Sequence, residues 1–115
     1  MSQVIQVNKG EVIIREGDPS NGFYMLVSGS VEVRKQDCLL ETINTPGTIF
    51  GEMSQLLKKP RTTTITAIED TELALVTMGI EQLVVSHPTI AIKLILTLAK
   101  RLDTANQRLF EKSNS

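Results

Sequence analysis

Aromatic residues are nearly missing from this chain, which has no tryptophan, one tyrosine and three phenylalanines among 115 residues. Its core must therefore come from Val, Ile, Leu and Met, residue types that suit strands and one or two helices. Cysteine is scarcer still. Cys38 alone excludes an internal disulfide and offers no metal cluster, and it points to a reducing, cytoplasmic setting. No excess of basic charge exists either: the formal net charge is −1, which argues against a chain that grips nucleic acid by electrostatics alone. Long apolar runs are also lacking. The N-terminal MSQVIQVNKG has no basic start followed by an apolar stretch, and the most apolar later segment, Ile90 to Ala99, is short and carries Lys93. Neither secretion nor membrane insertion is expected.

What is present is a hydrophobic content of 41%, enough for one domain over residues 1–115 that folds alone and rules out a disordered chain. From Gly10 to Thr77, short β-rich runs alternate with turn residues: VIIR, then Gly17-Asp18-Pro19, FYMLVS, Gly29 and VEVRK. Val31 and Val33 alternate with Glu32 and Arg34, so this strand has one wet face, and Gln36-Asp37 turns it back into Cys38 to Ile43. Thr45-Pro46-Gly47 closes that strand. Two further strands, Thr62 to Ala67 and Thr71 to Thr77, flank Glu69-Asp70. The pattern predicts a mainly β fold, an antiparallel jelly-roll sandwich or barrel over about residues 4–77.

After Gly79 the hydrophobic period lengthens from two to about three and a half, which predicts helices over about residues 79–111. A short one, Ile80 to Ser86, precedes a longer one entered through Pro88. His87, the only histidine, reads as a solvated residue at that helix start rather than a ligand or an acid–base group. Within the longer helix Ala91, Ile95, Leu98, Leu102, Ala105 and Leu109 recur at steps of four and three. They form one heptad-like stripe, to be packed on the sandwich or on a second copy of the chain.

The stretch with chemistry in it is Phe50 to Ala67, FGEMSQLLKKPRTTTITA. Gly51 lets the backbone approach a ligand closely, and the residues after it open a helical turn with outward N–H groups. Arg61 adds a permanent positive charge, Glu52 a carboxylate that accepts from hydroxyls, and Thr62 and Thr63 offer a hydroxyl and backbone N–H groups. A carboxylate beside a single arginine repels a multiply charged phosphate. Together they suit a sugar that bears one phosphate charge.

These residues resemble the phosphate-binding cassette of the cyclic nucleotide-binding domains of catabolite-activator regulators, cyclic-nucleotide-dependent kinase regulatory subunits and gated channels. The cassette reads F-G-E, a small apolar segment, P-R, then small or hydroxyl residues, and here Phe50, Gly51, Glu52, Pro60, Arg61 and Thr62 fall at that spacing. Two other stretches are similar to the family: IREGDPSNGFYMLVSGSVEV, and HPTIAIKLILTLAKRL, which resembles the helix after the barrel in bacterial members. The resemblance implies a ligand, cyclic AMP or cyclic GMP, and no cofactor, metal or catalysis. It implies that Arg61 pairs with the cyclic phosphate and that Glu52 accepts from the ribose 2′-hydroxyl. The N–H groups of Gly51, Glu52, Met53 and Ser54 complete the cradle, with Thr62 and Thr63 beside it. In the family a threonine next to the arginine can also reach the amino group of a syn guanine. The hydroxyl pair that contacts adenine across a dimer in bacterial members corresponds to Ala105 and Asn106, which makes Asn106 the candidate base contact and the long helix the candidate dimer element.

Besides the Ala105-Asn106 pair, two further places depart from the family pattern. Gln55 stands where many members carry an apolar residue that docks against a moving helix, and Lys58-Lys59 replaces a glycine-containing turn. Two other readings compete. A cupin metalloenzyme on the same barrel type needs several histidines and fails on the single His87. An interaction module that keeps the cassette's shape without binding a nucleotide would show no response to ligand in solution.

Overall fold

The computed structural model describes residues 2–113, which fall into two compact units divided after Gly79. The first unit is a β-roll. In chain order it contains β1 (Ser2–Val7), β2 (Val12–Ile14), β3 (Phe23–Ser28), β4 (Val31–Lys35), β5 (Cys38–Ile43), β6 (Ile49–Phe50), a six-residue helix α1 (Glu52–Leu57), β7 (Thr64–Ala67) and β8 (Thr71–Val76). Two four-stranded antiparallel sheets result, one ordered β1-β8-β3-β6 and the other β2-β7-β4-β5. This is the mainly β jelly-roll that the turn spacing predicts, with helices following it.

Alternation of side chains explains why the two sheets face each other. In β4 and β7, buried residues alternate with partly exposed ones, so Val31, Val33, Ile65 and Ala67 point inward and Glu32 and Thr66 outward. They meet Leu26, Phe50 and Leu73 of the other sheet in one core. The β4–β5 hairpin turns at Gln36-Asp37, both at positive φ (48° and 68°), as a two-residue turn matched to strand twist requires. Gly29, at φ +96°, is the one residue that fits its turn, because a Cβ there would lie 2.5 Å from Thr71 Oγ1 and 2.7 Å from the Asp70 carbonyl oxygen.

Three boundaries differ from the sequence reading. The β-roll begins at Ser2, because Ser2–Val7 pairs along the whole of β8 from Thr71 to Val76. The strand expected from Thr62 starts at Thr64, since Thr62 and Thr63 still belong to the turn leaving the cassette. The strand expected to reach Thr77 ends at Val76.

The second unit holds α2 (Ile80–Ser86) and α3 (Pro88–Ser113), which contact each other. Pro88 is the first residue of α3, a position where its missing N–H costs no hydrogen bond. His87 precedes it with Nδ1 3.1 Å from Ser86 Oγ. The single stripe expected on α3 is in fact two. Ala91 and Leu94 are buried and Leu98 half-buried, whereas Ile95, Leu102 and Leu109 are exposed. At 3.6 residues per turn Ile95 lies about 100° around the helix from Leu94, so burying the Ala91–Leu94 side leaves Ile95 at its edge. Among the described residues no helix is long and apolar enough to cross a membrane.

Candidate functional site: the turn between β6 and β7

Strand β6 is only two residues long, but its place is fixed twice. Phe50 pairs with Tyr24 and Ile49 with Met25 across β3, and the Tyr24 and Phe50 rings stack with centroids 5.4 Å apart. The chain then turns at Gly51, which caps α1 in the left-handed conformation (φ 77°, ψ 9°). Any larger residue is strained there. A Cβ at Gly51 would lie 2.9 Å from Ile14 Cδ1 and 3.1 Å from Arg61 Nη1.

Helix α1 runs for six residues and stops at Lys58, itself left-handed at φ 53°. The Ser54 carbonyl closes this end, accepting from the Lys59 N–H at 3.1 Å and from Ser20 Oγ at 3.2 Å. Lys58, Lys59 and Pro60 line an open cleft of about 410 Å³ together with Pro19, Ser20 and Gln55. Beyond Pro60 the backbone of Arg61 is pinned to the turn after β2. Its N–H donates to the Asp18 carbonyl and its carbonyl accepts from the Gly17 N–H, each at 2.9 Å.

The side chain of Arg61 runs inward and is 5% exposed. Nη1 donates to the Gly51 carbonyl at 2.5 Å and Nη2 to the Gly22 carbonyl at 2.6 Å. One guanidinium thus ties the start of α1 to the loop entering β3. Burial holds its pKa below the ordinary arginine value, against the attraction of Tyr24 and of the Glu52 carboxylate. Burial pushes the Tyr24 hydroxyl up, and the positive charge of Arg61 partly offsets this. Glu52 is 1% exposed, and among the described residues no buried side-chain nitrogen or oxygen lacks a hydrogen-bond partner. Two buried ionisable groups of opposite sign, each costly to desolvate, therefore occupy one turn of a small β-roll.

Of the residues picked out from the sequence, Gly51, Glu52 and Arg61 are brought together here. Ser54 is buried, Met53 is exposed, Thr62 is exposed and Thr63 is half-buried at the exit of the turn. Asn106 is exposed on α3 in the second unit. The supporting partners Ile14, Gly22 and Tyr24 carry no motif of their own in the sequence. The available signal is GDPSNGFY, where Gly17 marks a turn and the tyrosine is the one in the chain.

A jelly-roll with a glycine-capped turn, a buried glutamate and a buried arginine at this spacing defines a class of ligand-binding domain. Residues 4–80 match the sequence profile of the cyclic nucleotide-binding domain, and the chain belongs to that family. Among particular relatives, it is 32% identical over 115 residues to the CRP-like cAMP-activated global transcriptional regulator of Mycobacterium tuberculosis, covering 93% of this chain and 50% of that protein. It is 34% identical over 103 residues to lysophospholipase NTE1 of Mycosarcoma maydis, where the match takes up 86% of this chain and 6% of that enzyme. In structure it is similar to the Thermus thermophilus catabolite activator protein, with a TM-score of 0.83, 31% identity, and coverage of 97% of this chain and 55% of that one. The chain thus spans about half the length of these regulators, or a small part of the far longer lysophospholipase.

Proposed function

We propose that this chain reversibly binds a cyclic nucleotide monophosphate, cyclic AMP in preference to cyclic GMP, as a regulatory sensor and performs no chemistry on it. The observation that carries the reading is Arg61: a buried guanidinium at the mouth of the Gly51 turn, next to a buried carboxylate. A cyclic phosphate carries one negative charge, which a single guanidinium matches and forks onto in bidentate fashion. Glu52 accepts from the ribose 2′-hydroxyl, and its charge disfavours a terminal phosphate with two charges. The N–H groups of Gly51 to Ser54 and the hydroxyls of Thr62 and Thr63 complete the contacts. The preference for cyclic AMP rests on the printed names of relatives, such as the cAMP-activated regulator above.

Ligand capture at the turn draws α1 inward, and the C-terminal helix moves to cover the base, with Asn106 as the base contact. The size of that population shift equals the difference in contacts between the two states. The same helix joins two copies of the chain. Titration calorimetry with cyclic AMP and cyclic GMP tests the binding reading on the wild-type chain and on Arg61→Lys. The lysine keeps the charge and loses the fork, and each charge-assisted hydrogen bond is worth about 1.5–3 kcal/mol. Affinity is expected to fall by roughly 10- to 100-fold. Unchanged affinity in a folded variant contradicts the assignment.

A further inference from the structure

The two places where the cassette departs from the family pattern, Gln55 and Lys58-Lys59, share one cleft. It has a volume of about 410 Å³ and is completed by Pro19, Ser20 and Pro60. It lies at the C-terminal end of α1, so this six-residue helix, about 9 Å long, separates it from the Gly51 turn. No acidic side chain lines it, although the chain as a whole carries a net charge of −1. Both lysines are exposed, and neither forms an ion pair among the described residues. Lys58 also holds a left-handed conformation, φ 53°, which a glycine would adopt without strain. A strained, unpaired cation beside a second one is a cost to the folded chain that a partner's opposite charge offsets.

The chemistry of the lining selects the partner. Lysine ammonium groups are compact, hydrated charges that pair singly with carboxylates, without the planar fork that grips phosphate. Here they stand at the surface and do not converge on a buried point, which suits carboxylates borne on a peptide better than a small enclosed anion. Ser20 Oγ donates its proton to the Ser54 carbonyl at 3.2 Å and keeps lone pairs for a backbone N–H. The Gln55 carboxamide is half-buried and has no hydrogen bond to another described residue, so it offers a donor and an acceptor to a peptide group. Pro19 and Pro60 have fixed φ and give the cleft stiff apolar walls, so little freedom is lost in ordering it. We infer that this cleft is a docking site for an acidic, extended segment of a partner protein, whose carboxylates pair with Lys58 and Lys59 and whose backbone meets Gln55 and Ser20. The inference goes beyond the nucleotide reading and does not depend on it.

Nuclear magnetic resonance of the full, isotope-labelled chain without nucleotide tests it, with a glutamate-valine repeat peptide as the probe and a lysine-valine repeat as its control. The acidic peptide is expected to bind saturably, to shift the amide signals of Ser20, Gln55, Lys58 and Lys59 before others, and to bind more weakly as salt screens the exposed charges. The lysine-valine peptide shifts none of them. Replacing Lys58→Gly together with Lys59→Ser relieves the backbone strain at position 58, so this variant folds at least as well as the parent. Its affinity for the acidic peptide is expected to fall about 10-fold. Lys93→Ser with Lys100→Ser removes the same charge from α3 and leaves the affinity unchanged. Absence of saturable binding, shifts scattered over the surface, equal affinity in the Lys58→Gly, Lys59→Ser variant, or an equal loss in the α3 variant each overturns the proposal. Inorganic phosphate or a single-stranded oligonucleotide that displaces the peptide from these amides at lower concentration overturns it too, in favour of a small anion or a nucleic acid.

Discussion

Arg61 and Tyr24 interact electrostatically at the turn between β6 and β7, and Tyr24 makes that interaction observable. Burial raises the tyrosine pKa, and the nearby guanidinium lowers it by a smaller amount. Tyr24 is the only tyrosine in a chain without tryptophan, so tyrosinate absorbance near 295 nm reports this group alone. Its midpoint is expected above 10.0, the ordinary tyrosine value. An acid whose folded pKa is raised contributes stability that is full below its unfolded pKa and is lost as pH rises through the folded one. Alkaline unfolding should therefore accompany ionisation of Tyr24 and be blunted in Tyr24→Phe. Replacing Arg61 by Gln removes the stabilising cation and should move the midpoint higher still; a midpoint that stays or falls contradicts the contact. At this scale much was legible. A glycine, a glutamate and an arginine at fixed spacing mark the turn at which the structure gathers Gly51, Glu52 and Arg61. Gly22 and Tyr24 were not legible, because the one accepts from Arg61 and the other stacks on Phe50 within the field of Arg61, and such partnerships leave no mark on local sequence.

At the scale of the element, the cassette is a short helix between two left-handed residues. Gly51 suits that conformation, but Lys58 at φ 53° does not, since a side chain there costs about 1 kcal/mol relative to glycine. Lys58→Gly is accordingly expected to raise stability by roughly 0.5–1 kcal/mol in urea denaturation, and a loss would show that Lys58 has a compensating contact. Gly51→Ala should do the reverse. It adds strain at φ 77° and a Cβ within 2.9 Å of Ile14, and is expected to cost about 1–2 kcal/mol and to weaken nucleotide binding. Strands β3, β4 and β5 and helix α2 were readable to the residue, because alternation, paired turn residues and a change of period are local signals. The edge strand β1 and the phase of α3 were not. The first is defined by pairing with β8 some 70 residues away, the second by which of two apolar stripes the fold chooses to bury.

At the scale of the whole molecule, a ligand that binds only the folded chain stabilises it by mass action. At one hundred times its dissociation constant, cyclic AMP should add about 2.7 kcal/mol. Thermal unfolding followed by circular dichroism should show a Tm that climbs with cyclic AMP concentration and does not respond to non-cyclic AMP, whose second phosphate charge Glu52 disfavours. The central claim is that the buried Arg61 turn is a cyclic nucleotide site, and calorimetric titration of the wild-type chain against Arg61→Lys meets it most directly. Saturable binding of one cyclic AMP per chain and a fall of roughly 10- to 100-fold in the variant are expected. Absence of binding of either cyclic nucleotide by the folded wild-type chain, or equal affinity in the folded variant, would contradict it.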